Sequence, residues 1–198
     1  MSESMSIKAP ELDLIIFAGM MGSGKSTVAM RLAKRLNWDF IDLDGAIEVE
    51  IGSSIASYVS KFGEEPFRNL EARTLERVLI KGGPLVLALG GGTLISTQSQ
   101  ELIRQQESLV IWLDVDLDVI LGRLMKDTER EIDRRPFLSK DDLYNSLKER
   151  LLQRRTGYQL CSHIRLECST LSVDEIVDKA LNAALKSERL AGLGSGDR

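Results

Sequence analysis

The chain has 198 residues, 43% of them hydrophobic and 28% charged, which suits one well-buried globular domain and is short for two. Its formal net charge of −4 excludes binding to nucleic acid through bulk positive charge, so no nucleic-acid partner is expected. No apolar run reaches the ~20 residues of a bilayer-spanning helix, which argues against a membrane partner.

The N-terminal segment, residues 1–11, is polar and lacks an apolar signal core, so it reads as a flexible tail of a cytoplasmic protein. Leu12–Ala18 (LDLIIFA) is a continuous run of strand formers. It leads into Gly19-Met20-Met21-Gly22-Ser23-Gly24-Lys25-Ser26, which meets the G-x-x-x-x-G-K-[ST] pattern between a strand and a predicted helix, Ser23–Leu36. Glycines let successive backbone N–H groups curl around an anion, and the helix that starts there adds its positive end. The loop therefore binds a nucleoside triphosphate: Gly22, Ser23, Gly24, Lys25, Ser26 and Thr27 are its candidate phosphate contacts. Lys25 can reach the β- and γ-phosphates, and the Ser26 hydroxyl can ligate Mg²⁺.

A second predicted strand, Phe40–Leu43, carries Asp42, and Asp44 follows two residues on. On an extended chain that spacing turns both carboxylates to one face. One could hold Mg²⁺ and the other could take a proton from an acceptor hydroxyl; for Asp44 the alternative is the N-cap of a following helix. Next comes Gly63-Glu64-Glu65-Pro66-Phe67-Arg68-Asn69-Leu70-Glu71, in which Arg68 and Glu71 share a helix face. An arginine held by a glutamate is a preorganised fork for a carboxylate, although a solvated ion pair has the same spacing. A helix is predicted over Glu71–Lys81 and a strand over Leu85–Leu89, which ends at Gly90-Gly91-Gly92. Three glycines at a strand end admit close approach by another molecule, or serve a tight turn.

The remaining pattern predicts strands at Leu109–Leu113 and Ile164–Leu166 and helices at Val115–Met125, Asp141–Leu160 and Ser172–Leu190. The charged stretch 126–142 reads as a surface loop, and Arg135 within it is a candidate for neutralising a transferred phosphoryl group. Arg154-Arg155-Thr156-Gly157-Tyr158 places a glycine in a helical pattern and offers a second anion contact. Cys161, Cys168 and the single histidine, His163, are too few for a disulfide scaffold or a zinc site and read as packing residues in a reducing compartment. Alternating strands and helices predict one three-layer α/β domain over residues 12–190, with a flexible tail over 191–198.

Taken together, these motifs resemble the shikimate kinase family of P-loop kinases from about Leu12 to Leu190. The resemblance rests on the phosphate loop, Phe40-Ile41-Asp42-Leu43-Asp44, the Gly63–Glu71 run, Gly90–Gly92, the lid motif Arg135–Leu138 and the Arg154–Tyr158 run. It implies a five-stranded parallel sheet in the order 2-3-1-4-5 with a mobile lid over about 126–140. It also implies phosphorylation of the 3-hydroxyl of shikimate by ATP, with Mg²⁺ as cofactor and the chain acting as a monomer. By the same resemblance Asp44 accepts the proton, Arg68 and Arg154 grip the carboxylate, and Glu71 orients Arg68. Phe67 walls the pocket, and Gly90, Gly91 and Gly92 line it. Asp42 and Ser26 serve the metal, Arg123 stacks on adenine, and Lys25 and Arg135 stabilise the phosphoryl group. A gluconate- or adenylate-type kinase would share the loop without the Gly63–Glu71 run. A silent nucleotide-binding protein would have lost Lys25, Asp44 or the lid arginine.

Overall fold

The computed structural model describes residues 12–126 and 143–192, with the side chains of 187–192 left aside. Its centre is β1 (Leu14–Ala18), where Ile15, Ile16 and Phe17 are wholly buried. An uninterrupted apolar strand of this kind needs cover on both faces and a partner on each edge. It pairs in parallel with β3 (Leu85–Ala88) and with β4 (Leu109–Asp114). Outside these lie β2 (Asp39–Asp42) beside β3 and β5 (Ile164–Glu167) beside β4. The order is β2-β3-β1-β4-β5, as the family resemblance implied.

Right-handed crossovers place the helices. The β1-to-β2 connection carries α1 (Lys25–Leu36) over one face, where α8 (Val173–Gly192) packs beside it. Arg31 donates to Asp174 at 2.6 Å and Arg35 to Asp178, tying those two helices at their exposed edge. The return to β3 runs through α2 (Leu43–Ile51), α3 (Ile55–Phe62) and α4 (Glu64–Lys81). A 3₁₀ turn (Thr93–Ile95) and α5 (Thr97–Arg104) lead to β4, then α6 (Leu117–Lys126) and α7 (Leu143–Cys161) lead to β5. Beneath the edge strand, His163 accepts the Val110 amide at 3.0 Å through Nδ1. Both cysteines are buried and unbridged.

Several boundaries depart from the sequence reading. The Asp42 side chain accepts the Gly45 amide at 3.1 Å, so it caps α2 and ends β2 one residue before Leu43. Asp44 therefore stands in the first turn of a helix, and the two carboxylates do not share a strand. Helix α4 starts seven residues before the predicted Glu71, at Glu64, because Gly63 breaks the chain with φ 92° and Pro66 is tolerated in a first turn. Helices α2, α3 and α5 had no prediction; each is only eight or nine residues long. The expected lid over 126–140 and the N-terminal tail lie outside the described residues, apart from Lys126 at the end of α6, while α8 continues to Gly192.

Gly157 does not interrupt a helix; it sits inside α7. A Cβ there would overlap the Leu94 carbonyl oxygen and stand 3.0 Å from its carbon. The helix backbone lies directly on the 3₁₀ turn, which no larger residue permits. Gly157→Ala should cost about 1–3 kcal/mol through overpacking, read from the denaturant midpoint. An unchanged midpoint would show that the turn yields freely.

Candidate active site

Every feature that follows a strand's carboxyl end gathers on one edge of the sheet, where open α/β folds bind ligands. After β1, positive φ at Gly19, Gly22 and Gly24 curls the chain before α1 begins at Lys25. Lys25 is nearly buried, and its Nζ donates to the Met20 carbonyl at 2.9 Å, inside the loop. Ser26 and Thr27 are exposed at the start of α1. On α6, Arg123 donates through Nη1 to the Gly22 carbonyl at 3.0 Å, so this guanidinium braces the phosphate loop from the side.

Ser26 Oγ donates to Asp42 Oδ2, which brings a hydroxyl and a carboxylate together under the loop. These are hard oxygen donors, and one or two of them with phosphate oxygens and waters make the usual Mg²⁺ set. The residues present therefore fit a Mg²⁺ ion.

The hub is the glycine turn after β3. A Cβ on Gly90 would overlap Asp44 Oδ1, and one on Gly92 would lie 2.6 Å from Arg68 Nη2. On Gly91 it would stand 3.2 Å from both Arg154 Nη1 and the Met21 amide nitrogen. The turn thus meets α2, α4, α7 and the phosphate loop at once, and only glycine backbone lets them close to this distance.

Around the turn the charges are arranged in depth. Glu71 is almost fully buried; its Oε2 accepts from Arg68 Nη1 at 2.7 Å and its Oε1 from Thr93 Oγ1 at 2.7 Å. Arg68 Nη2 also donates to Glu64 at 3.1 Å, and the guanidinium lies over the buried Phe67 ring, 5.0 Å from its centroid. Asp44 is pushed up to about 6, first by burial and then by the neighbouring Glu71, while Lys25 pulls the other way. Arg154 is 3% exposed, with Nη1 3.9 Å from Met20 Sδ and a buried Nε that has no partner among the described residues. Burial, and less strongly the charge of Arg68, lower its pKa. One turn on, the Tyr158 hydroxyl donates to the Gly91 carbonyl at 2.6 Å and fixes the turn against α7.

The structure brings together Lys25, Asp44, Arg68, Glu71, Gly90, Gly91, Gly92 and Arg154, with Phe67 beneath Arg68 and Ser26 beside Asp42. Arg123 sits on the phosphate loop, and Arg135 lies outside the described residues. The sequence reading passed over Glu64 and Thr93, which hold Arg68 and Glu71.

Comparison with known proteins gives a consistent result. The family model for shikimate kinase matches residues 21–185. A shikimate kinase of Zymomonas mobilis is 35% identical over 178 residues, 90% of this chain and 97% of that one. Another, from Bradyrhizobium diazoefficiens, is 35% identical over 87% of this chain and 84% of its own length. Among solved structures, shikimate kinase from Acinetobacter baumannii in complex with shikimate superposes with a TM-score of 0.82. It is 29% identical, and the match covers 90% of this chain and 96% of that one. A gluconokinase from Sinorhizobium meliloti, 17% identical at a TM-score of 0.63, shares the fold.

Proposed function

The chain belongs to the shikimate kinase family, and we propose that it transfers the γ-phosphate of ATP to the 3-hydroxyl of shikimate. One observation carries the assignment of the site. Asp44, Arg68 and Arg154 come from three separate helices and meet on the Gly90–Gly92 turn, beside the phosphate loop.

In this reading the shikimate carboxylate lies between Arg68 and Arg154, whose planar forks suit two oxygens. Glu71 keeps Arg68 in place through its 2.7 Å bond, and Thr93 keeps Glu71 in place. The ring rests on the Gly91 and Gly92 backbone, and the 3-hydroxyl points to Asp44. The phosphate chain lies in the loop, with Gly22, Ser23 and Gly24 around it and Lys25 at the β- and γ-oxygens. The hydroxyl oxygen forms a bond to the γ-phosphorus as the bond to the β,γ-bridging oxygen breaks. The hydroxyl proton passes to the Asp44 carboxylate, and ADP leaves with the bridging oxygen. Lys25 and Arg135 offset the charge on the moving phosphoryl group. Ser26 and Asp42 would hold Mg²⁺, which supplies charge neutralisation on the phosphate oxygens when bound.

We read the active unit as a monomer, as the family resemblance implies. Two unbridged cysteines suit a reducing cytoplasm, and no described helix is long and apolar enough to cross a membrane. Arg68→Ala tests the pocket. Losing a charge-assisted hydrogen bond of about 1.5–3 kcal/mol should raise the shikimate KM about 10- to 100-fold, with a smaller effect on kcat. An unmoved shikimate KM would show that Arg68 does not hold the acceptor.

A further inference from the structure

Gly90, Gly91, Gly92 and Thr93 form a β-turn, closed by the Thr93 amide donating to the Gly90 carbonyl at 3.2 Å. Its central peptide joins Gly91 to Gly92. Gly92 has φ −107° and ψ −3°, the third position of a type I turn. Glycine in that position is the usual mark of a type II turn, where its φ lies near about +80°. The two forms differ by a rotation of the central peptide through about 180°, and between two glycines no side chain opposes that rotation. The local sequence therefore favours the form that the protein does not adopt, and a contact from outside the turn must select the other.

That contact comes from α7. The carbonyls of Gly90 and Gly92 are bound from within the segment, by the amides of Thr93 and Ile95. The Gly91 carbonyl is bound from outside it, by the Tyr158 hydroxyl at 2.6 Å. A type II turn would carry this oxygen to the other side and break the bond. Tyr158 is 1% exposed and its ring packs on Trp112, 5.6 Å between centroids, so the hydroxyl is held in place. Burial pushes its pKa well above the ordinary tyrosine range, which keeps it a donor. In a trans peptide the N–H points opposite to the C=O, so the grip on Gly91 turns the Gly92 amide away from Tyr158. That amide has no partner among the described residues. The two guanidiniums bracket the same peptide: a Cβ on Gly91 would stand 3.2 Å from Arg154 Nη1, and one on Gly92 2.6 Å from Arg68 Nη2.

We propose that Tyr158 is a positioning residue for the acceptor, whose hydroxyl locks the glycine turn so that an amide N–H, rather than a carbonyl oxygen, faces an anion held between Arg68 and Arg154. The direction of one peptide dipole is at stake. With the turn as it stands, the Gly92 N–H adds a charge-assisted donor to the two guanidiniums. With the peptide reversed, the Gly91 oxygen would set a partial negative charge against the incoming carboxylate. The proposal rests on the reading of shikimate as the acceptor.

The test is Tyr158→Phe, which keeps the buried ring and its contact with Trp112 and removes only the hydroxyl. In steady-state turnover with Mg·ATP the variant should show a shikimate KM raised about tenfold, the scale of one hydrogen bond to a charged group. Its ATP KM should stay within about twofold of wild type and its kcat within about threefold, because the phosphate loop and Asp44 are untouched. A crystal structure of the variant should show Gly92 at positive φ and the Gly91 carbonyl turned into the cleft. A hydroxyl that served stability alone would lower the thermal midpoint and leave the shikimate KM where it was. The proposal is overturned by a shikimate KM within twofold of wild type, by an equal rise in both KM values, or by a variant structure that keeps the type I turn. Wild-type turnover, measured alongside, reports on the acceptor by itself. Absence of turnover with shikimate sinks that reading and this one together, whereas wild-type turnover with an unchanged Tyr158→Phe sinks this one alone.

Discussion

Lys25→Met should lower kcat about 100- to 1,000-fold, the usual cost of removing one preorganised donor to a transition-state charge, while the fold stays intact. The side chain is 8% exposed, and its Nζ is bound to the Met20 carbonyl at 2.9 Å within the phosphate loop. Methionine has similar length and an apolar stem, so it fills the same channel beside the start of α1. What it lacks is the ammonium that meets the negative charge on the β- and γ-oxygens as the phosphoryl group moves. The loss should therefore fall on kcat and on kcat/KM together, with the thermal midpoint little changed. Turnover within tenfold of wild type would remove Lys25 from the chemistry.

Asp44→Asn should cost about 100- to 10,000-fold in kcat, the range for a positioned general base. The substitution keeps the shape of the side chain packed on Gly90 and removes its ability to take the hydroxyl proton. Because Asp44 is raised from 3.8 to about 6, the free enzyme loses the active carboxylate as pH falls through 6. The wild-type kcat/KM for shikimate should then fall about tenfold per pH unit below that point and level off above it. Stability runs the other way. A raised carboxyl costs nothing below its unfolded pKa of about 4, where both states are protonated, and costs most above 6, where both are ionised. Asp44→Asn should accordingly be more stable than wild type at pH 7, and that advantage should vanish near pH 4. A wild-type kcat/KM that is flat down to pH 5, or an Asp44→Asn enzyme with near-normal turnover, would contradict the role.

The parts of the fold that were legible in the sequence are those whose cause is local. The phosphate loop requires glycines at fixed spacings and a strand before it, so residues 19–26 announce themselves. The buried strands are continuous apolar runs, and each was placed to within two residues. The short helices were missed because eight or nine residues carry too few turns for a clear period. Asp42 misled through a single hydrogen bond: by capping α2 it ended the strand early and moved Asp44 onto a helix. The carboxylates still reach the same cleft, though by a different route from the one the spacing suggested.

The site was legible where a motif is a run of neighbours, as in Arg68–Glu71 and Gly90–Gly92. It was not legible where meaning depends on docking between distant elements. Gly157 is only a glycine within a helical pattern until Leu94 is seen against it. Thr93 gains its role from Glu71, twenty-two residues away in sequence.

The central claim is that the acceptor is shikimate, and a coupled ADP-release assay with Mg·ATP tests it most directly, run separately with shikimate, gluconate and AMP. The account predicts rapid ADP release with shikimate and only background release with the other two. Background release with shikimate, or faster release with gluconate or AMP, would contradict it.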